Sequence, residues 1–145
     1  MFKTNIVFTL LYFSLFSLFS MAKPIDKSDL AQLNGSWHLR AMDGKDVRKA
    51  RAILDFHAKE MLVNGFDGCN RISGYLKQNE AQMFNTKLLS TKMACRKNIH
   101  RYVSKRLHET VEAFFSITQE KRYGIEGITI KSKAHDLFFK RMEKE

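Results

Sequence analysis

The sequence predicts an α+β domain in which a curved, barrel-like antiparallel sheet packs against one main α-helix. Three observations carry that prediction. Short runs of alternating apolar and polar residues, separated by polar turns, fill the stretch from Trp37 to Thr91. A single segment then repeats an apolar residue every fourth position, and strand period returns after it. Strands, one helix and a closing strand pair form a segregated order, unlike the βαβ alternation of a parallel sheet.

The first residues have the pattern of a secretory signal. Lys3 supplies a positive start, Ile6 to Phe19 is an uncharged apolar run, and Ser20-Met21-Ala22 offers small residues at a cleavage site. The run is shorter than the roughly 20 residues that span a bilayer, so residues 1–22 are read as a cleaved signal peptide rather than an anchor. No cysteine lies near the site to accept a lipid. A periplasmic or secreted location follows as the expectation. The remaining 123 residues suffice for one domain with one core. They hold all 15 acidic residues and 24 of the 25 Lys and Arg, a net charge of +9. Outside the cytoplasm such a balance points to anionic lipid head groups, lipopolysaccharide or acidic glycans rather than nucleic acid, or to solubility alone.

Residues 23–30, with the only proline at Pro24, read as a flexible leader before a domain over 31–142. Trp37, Leu39 and Ala41 share one face of the first strand, and His38 and Arg40 the other. Asp43-Gly44 turns the chain, and Ala52 to His57 forms the next strand with Leu54 and Phe56 inward. Met61-Leu62-Val63 leads into Gly65-Phe66-Asp67-Gly68-Cys69-Asn70-Arg71-Ile72-Ser73-Gly74-Tyr75, a glycine-rich corner between strands. Ala81 to Phe84 pairs back on Tyr75 to Lys77, and Leu88 to Thr91 is another extended piece. Ile99, Val103, Leu107, Val111 and Phe115 then mark one stripe of a helix from Asn98 to Ile117, with Asn98 as N-cap. Tyr123 to Lys131 and Leu137 to Arg141 form the closing pair.

Cys69 and Cys95 are an even pair in an oxidising compartment, and a bridge between them closes a loop of 27 residues. Two buried thiols that never meet are the alternative. Within the corner, Gly65, Gly68 and Gly74 shape the backbone, and Asn70 can bond neighbouring peptide groups. The same glycines could cradle an anion with help from Arg71, but the spacing lacks a phosphate-loop or dinucleotide signature.

Four stretches together resemble the META domain, the HslJ-like heat-shock protein family. They are Leu33-Asn34-Gly35-Ser36-Trp37-His38-Leu39, the Gly65–Tyr75 corner, Leu88-Leu89-Ser90-Thr91-Lys92-Met93-Ala94-Cys95, and Tyr123-Gly124-Ile125-Glu126-Gly127-Ile128-Thr129-Ile130. The similarity rests most on a Gly-Cys-Asn-Arg core followed by Thr-x-Met-Ala-Cys, which makes Thr91 part of the motif. It implies a compact α+β domain, an envelope location and loosely described roles in heat shock, antibiotic tolerance, virulence or motility. It supplies no catalytic residues. This chain departs from the many lipoprotein members in lacking the modifiable cysteine, and Phe66-Asp67 stands where a small residue is common.

Catalytic signatures are thin. His38, His57, His100, His108 and His135 are scattered, and none makes an i, i+4 zinc pair. Ser73 and Ser90 lack a nucleophile elbow. Asp43, Asp46 and Asp55 read as a turn residue, a loop charge and a strand face, and His108 with Glu112 as a surface pair one helical turn apart. No catalytic residue, metal or cofactor is expected, and the chain should be a monomer. The leading expectation is a non-enzymatic, stress-related envelope protein that binds a protein or lipid partner. A chaperone- or pilot-like factor covering apolar segments of exported proteins is the alternative, and a hydrolase or inhibitor with an unrecognised site the third. A cleft gathering His, Asp and Ser would favour that last reading.

Overall fold

The structure is a computed structural model that describes residues 22–143. The signal-peptide reading therefore lies, but for Ala22, outside the described residues. Nine strands build one open antiparallel sheet. In chain order the strands are β1 (Gly35–Met42), β2 (Lys45–Asp46), β3 (Ile53–His57), β4 (Leu62–Phe66), β5 (Arg71–Tyr75), β6 (Lys77–Gln78), β7 (Phe84–Asn85) and β8 (Leu89–Ser90). The helix α1 (Asn98–Glu112) follows, then β9 (Ser116–Arg122), β10 (Ile125–Lys131) and β11 (Asp136–Arg141). Across the sheet the order is β8-β5-β4-β3-β1-β11-β10-β9, with β2 beside β1 and with β6 and β7 paired separately.

The apolar stripe of α1 does what its period predicts. Val103 and Leu107 are fully buried and Val111 nearly so, against Leu39, Leu54, Ile72, Ile128 and Phe139 of the inner sheet face. Each such side chain contributes about 1.5–3 kcal/mol by leaving water, so this face holds the helix down. The helix stops at Glu112, not Ile117, because Phe115 serves the sheet instead. Its N–H and carbonyl pair with Phe84, both at 2.8 Å, and join the small β6–β7 pair to the start of β9. Phe115 and Ile117 are buried two apart, and that period-two signal belongs to β9, a strand absent from the expected closing pair. Three strands therefore follow the helix. Asn98 sits inside the helix. Arg101 instead binds the Cys95 and Arg96 carbonyls at 2.8 and 3.0 Å, and the N-cap residue is Lys97.

The expected leader is packed, not loose. Ile25 is buried, its N–H reaches the Ile117 carbonyl at 2.7 Å, and Asp26 caps a 3-10 turn over Lys27–Leu33. Leu30 and Leu33 close over the core, so apolar burial outweighs the freedom that a polar composition suggested.

In β1, alternation holds for Trp37 and Leu39 and then breaks. Leu39 lies opposite Phe139 and Ala41 opposite Phe138, which leaves Arg40 as the extra residue of a β-bulge. Past it Met42 enters the core, while Ala41 lies on the outer face near Tyr123. The expected face for Ala41 is thus reversed by one inserted residue. Phe138 is buried there under Tyr123, whose ring stands edge-on at 5.9 Å, and under the Arg122 guanidinium. At the other end of β1, Arg141 of β11 lies 4.2 Å from the Trp37 ring centre and bonds the carbonyls of Asn34 and Gln32 at 2.7 and 2.6 Å.

Candidate functional site

The glycine-rich corner is a β4–β5 bend tied to α1 chiefly through one carboxylate. Asp67 is fully buried. Its Oδ1 accepts the N–H groups of Cys69 at 2.7 Å and Asn70 at 2.6 Å, an Asx turn that shapes the loop from within. Oδ2 accepts the Ser104 hydroxyl at 2.9 Å and His108 Nε2–H at 2.7 Å, both from α1. His100 adds a bond to the Gly68 carbonyl. Burial pushes the Asp67 carboxyl up, but these donors, His108 foremost, outweigh it and hold it below the ordinary carboxylate range. The His108 ring is raised, first by its bond to Asp67 and further by Glu112, whose carboxylate lies 3.6 Å from Nδ1. The surface pair expected from spacing is therefore the outer half of a bridge whose inner half ties the ring to a buried carboxylate.

A second bridge repeats the arrangement. His135, just before β11, donates from Nδ1 to Asp43 at 2.8 Å and from Nε2 to Glu109 of α1 at 2.9 Å. Asp43 also accepts the Asp136 N–H at 2.8 Å. Burial pulls this imidazole down, but its two carboxylates prevail and raise it. Asp43, expected as a plain turn residue, thus anchors the helix as well.

Asp67, His108 and Ser104 do come within hydrogen-bond reach, yet not as a nucleophilic triad. Ser104 and His108 both donate to the same carboxylate oxygen, so the ring is not aimed at the hydroxyl as its base. What the arrangement does chemically is fasten a loop to a helix.

The motif residues serve the same end. Cys69 and Cys95 form a disulfide with Cα atoms 5.5 Å apart, so neither is a free thiol. Asn70 Oδ1 accepts the Met93 N–H at 2.6 Å and the Thr91 hydroxyl at 3.3 Å, while Thr91 Oγ1 accepts the Arg71 N–H at 3.1 Å. These bonds carry the chain from β8 back to the disulfide. The Arg71 side chain is exposed, and only its backbone takes part. Gly65 and Gly74 are required by close approach: a Cβ on Gly65 would fall on the Ile53 carbonyl, and one on Gly74 would strike Thr86 and stand 2.8 Å from the Lys87 oxygen. Gly68 packs under Ala50 and the His100 carbonyl.

The charge balance has a location. On the outer face, His38, Arg40, Arg48, Lys49, Arg51, Lys97 and Ile99 line an open groove of about 930 Å³ that holds one carboxylate, Asp46. Arg48 engages that carboxylate at 2.7 Å and holds its pKa down at about 2. Among the described residues, Arg40, Lys49, Arg51 and Lys97 form no ion pair. Burial, then the Arg40 charge, pushes His38 below the ordinary histidine range, so the ring is neutral at pH 7. Composition had announced the excess of cations. Its gathering here depends on the bulge and on the turn at Arg48–Ala50, which no local sequence pattern marks as a site.

Comparisons with known proteins agree with this architecture. The family model for the META domain matches residues 28–144. A protein from Burkholderia xenovorans solved by NMR has the same fold, with a TM-score of 0.62 at 20% sequence identity, covering 86% of this chain and 93% of that one. A search of curated proteins finds no match. With the family model spanning nearly all of the described residues, the chain belongs to the META domain family.

Proposed function

We propose that this META-domain protein is a non-enzymatic binding protein of the bacterial envelope, acting in a stress-related role. Its sheet presents a basic outer face to anionic lipid or lipopolysaccharide. The observation that supports this reading is the groove in which five Lys and Arg side chains meet one carboxylate, already held by Arg48. Four cations remain for a partner, and at about 1 kcal/mol for each Lys or Arg near an anionic surface they amount to a factor of about a thousand in affinity. The rest of the fold suits a rigid presenter: a disulfide and two carboxylate–imidazole bridges lock the loops and helix behind that face. Co-sedimentation with vesicles tests the proposal. Binding to phosphatidylglycerol-containing vesicles should exceed binding to phosphatidylcholine vesicles and fall steeply with added salt. Equal retention on both, or none on either, would overturn it.

A further inference from the structure

We propose that the groove beside the β1 bulge is a phosphomonoester site centred on Arg40; this rests on the reading that the basic face meets anionic material. A bulge re-aims a side chain. Here it leaves Arg40 without a partner across β11 and directs it outward, where it lines three adjoining grooves. One holds Arg48, Lys49, Arg51 and Lys97 with Asp46, the second Lys140 and Arg141 with Glu143, and the third Tyr123 and Ile125 with the Asp46–Arg48 pair. The Arg40 Nε is buried, and no protein group among the described residues accepts its proton. Nor does any carboxylate among the described residues pair with Arg40, so the part of its guanidinium that lines the grooves is left for an anion.

The charge count selects the ligand. A phosphate diester brings one negative charge. A monoester approaches two at neutral pH and offers three oxygens that match the planar guanidinium fork. With Asp46 occupied by Arg48, the more highly charged group complements the remaining Arg40, Lys49, Arg51 and Lys97 better. The groove volume of about 930 Å³ exceeds what a bare phosphate fills. The neighbouring surface of Ala41, Tyr123 and Ile125 gives an apolar flank for whatever carries the phosphate. The shared chemistry is a phosphate monoester, borne by a lipid headgroup or by a soluble sugar phosphate.

The test compares the purified protein on phosphatidylcholine vesicles carrying either phosphatidic acid or phosphatidylglycerol at matched surface charge, with glucose 6-phosphate as a soluble probe. Phosphatidic acid should be preferred, and Arg40→Ala should weaken that binding about tenfold, the loss of a charge-assisted pair. A control that removes Lys59 and Lys77, both outside the grooves, should leave the preference intact. Arg40→Lys, which keeps charge but not the fork, should retain phosphatidylglycerol binding and lose the preference, with circular dichroism verifying that each variant folds. Displacement by glucose 6-phosphate, with perturbation of the His38 ring resonances, would assign the site to phosphomonoesters at large. Binding confined to phosphatidic acid vesicles would assign it to the headgroup. Equal binding to both lipids, with Arg40→Ala indistinguishable from the control, would overturn the site and leave the broader proposal standing. No binding to either lipid would overturn both.

Discussion

Replacing Asp67 by asparagine separates charge from shape at the junction of loop and helix. The amide keeps an acceptor for the Cys69 and Asn70 N–H groups but turns an NH2 toward Ser104 and His108. Hydrogen bonds to a charged group contribute about 1.5–3 kcal/mol each. Ser104 can reverse and accept from the new amide, so most of the loss falls on His108. That ring is 24% exposed, which places its share toward the lower end. A net loss of about 2–3 kcal/mol follows, and for a domain of this size Tm should drop by roughly 10 °C. The pH dependence is the sharper signature. His108 is raised in the folded state, so its contribution is complete below its ordinary pKa and disappears as pH rises through the folded value. Asp67 is lowered, so its contribution is present above the ordinary carboxylate pKa and is lost only as pH falls through the folded value. The stability gap between wild type and Asp67→Asn should therefore be widest near about pH 6, below the ordinary histidine pKa, and narrow as pH rises through the raised folded value, while His135 contributes to both proteins alike. Urea unfolding followed by circular dichroism across that range measures it. Equal stabilities, or a gap that does not change with pH, would refute the assignment of an ion pair on the buried carboxylate.

Three further outcomes are expected. The double variant Cys69→Ser/Cys95→Ser, or wild type under reductant, should lose about 3.5 kcal/mol by the chain-entropy relation for a loop of this length, and thiol titration of the unreduced denatured protein should find none reactive. Gly74→Ala drives a methyl into Thr86 and the Lys87 carbonyl and should cost about 1–3 kcal/mol in urea unfolding, where an exposed glycine substitution would be mild. Trp37 Nε1 donates to the Leu33 carbonyl at 2.8 Å, so Trp37→Phe should lose about 1–3 kcal/mol in thermal unfolding from the acceptor left behind. The intact protein should show the blue-shifted emission of a buried indole.

Local pattern made most of the sheet readable. Leu54 and Phe56 lie inward as alternation requires, and Val103, Leu107 and Val111 face the core as a helical stripe does. The errors arise where a partner distant in sequence decides the matter. Phe115 continues the helical stripe by spacing, yet Phe84 claims it for the sheet. Ala41 follows Trp37 and Leu39 by parity, yet pairing with β11 inserts a bulge before it. The cysteine pair was open to counting, since an even number allows the Cys69–Cys95 bridge that the fold closes. By contrast, Asp67 beside Gly68 suits an Asx turn and Ser104 and His108 lie one helical turn apart, but nothing in the 40 positions between Asp67 and His108 announces that they meet. The cationic groove was legible as net charge and illegible as a place, because its residues come from a bulge, a turn and the approach to α1.

The pairing of β1 with β11 bears on how the chain can assemble. An interior seam of the sheet joins its first strand, β1, to β11, and Arg141 clasps Trp37 across it. A polypeptide without β11 leaves β1 and β10 as two raw edges inside the sheet. Within that sheet the strands before the helix and those after it are joined only when β11 docks, and a closure spanning so much sequence should make folding slow.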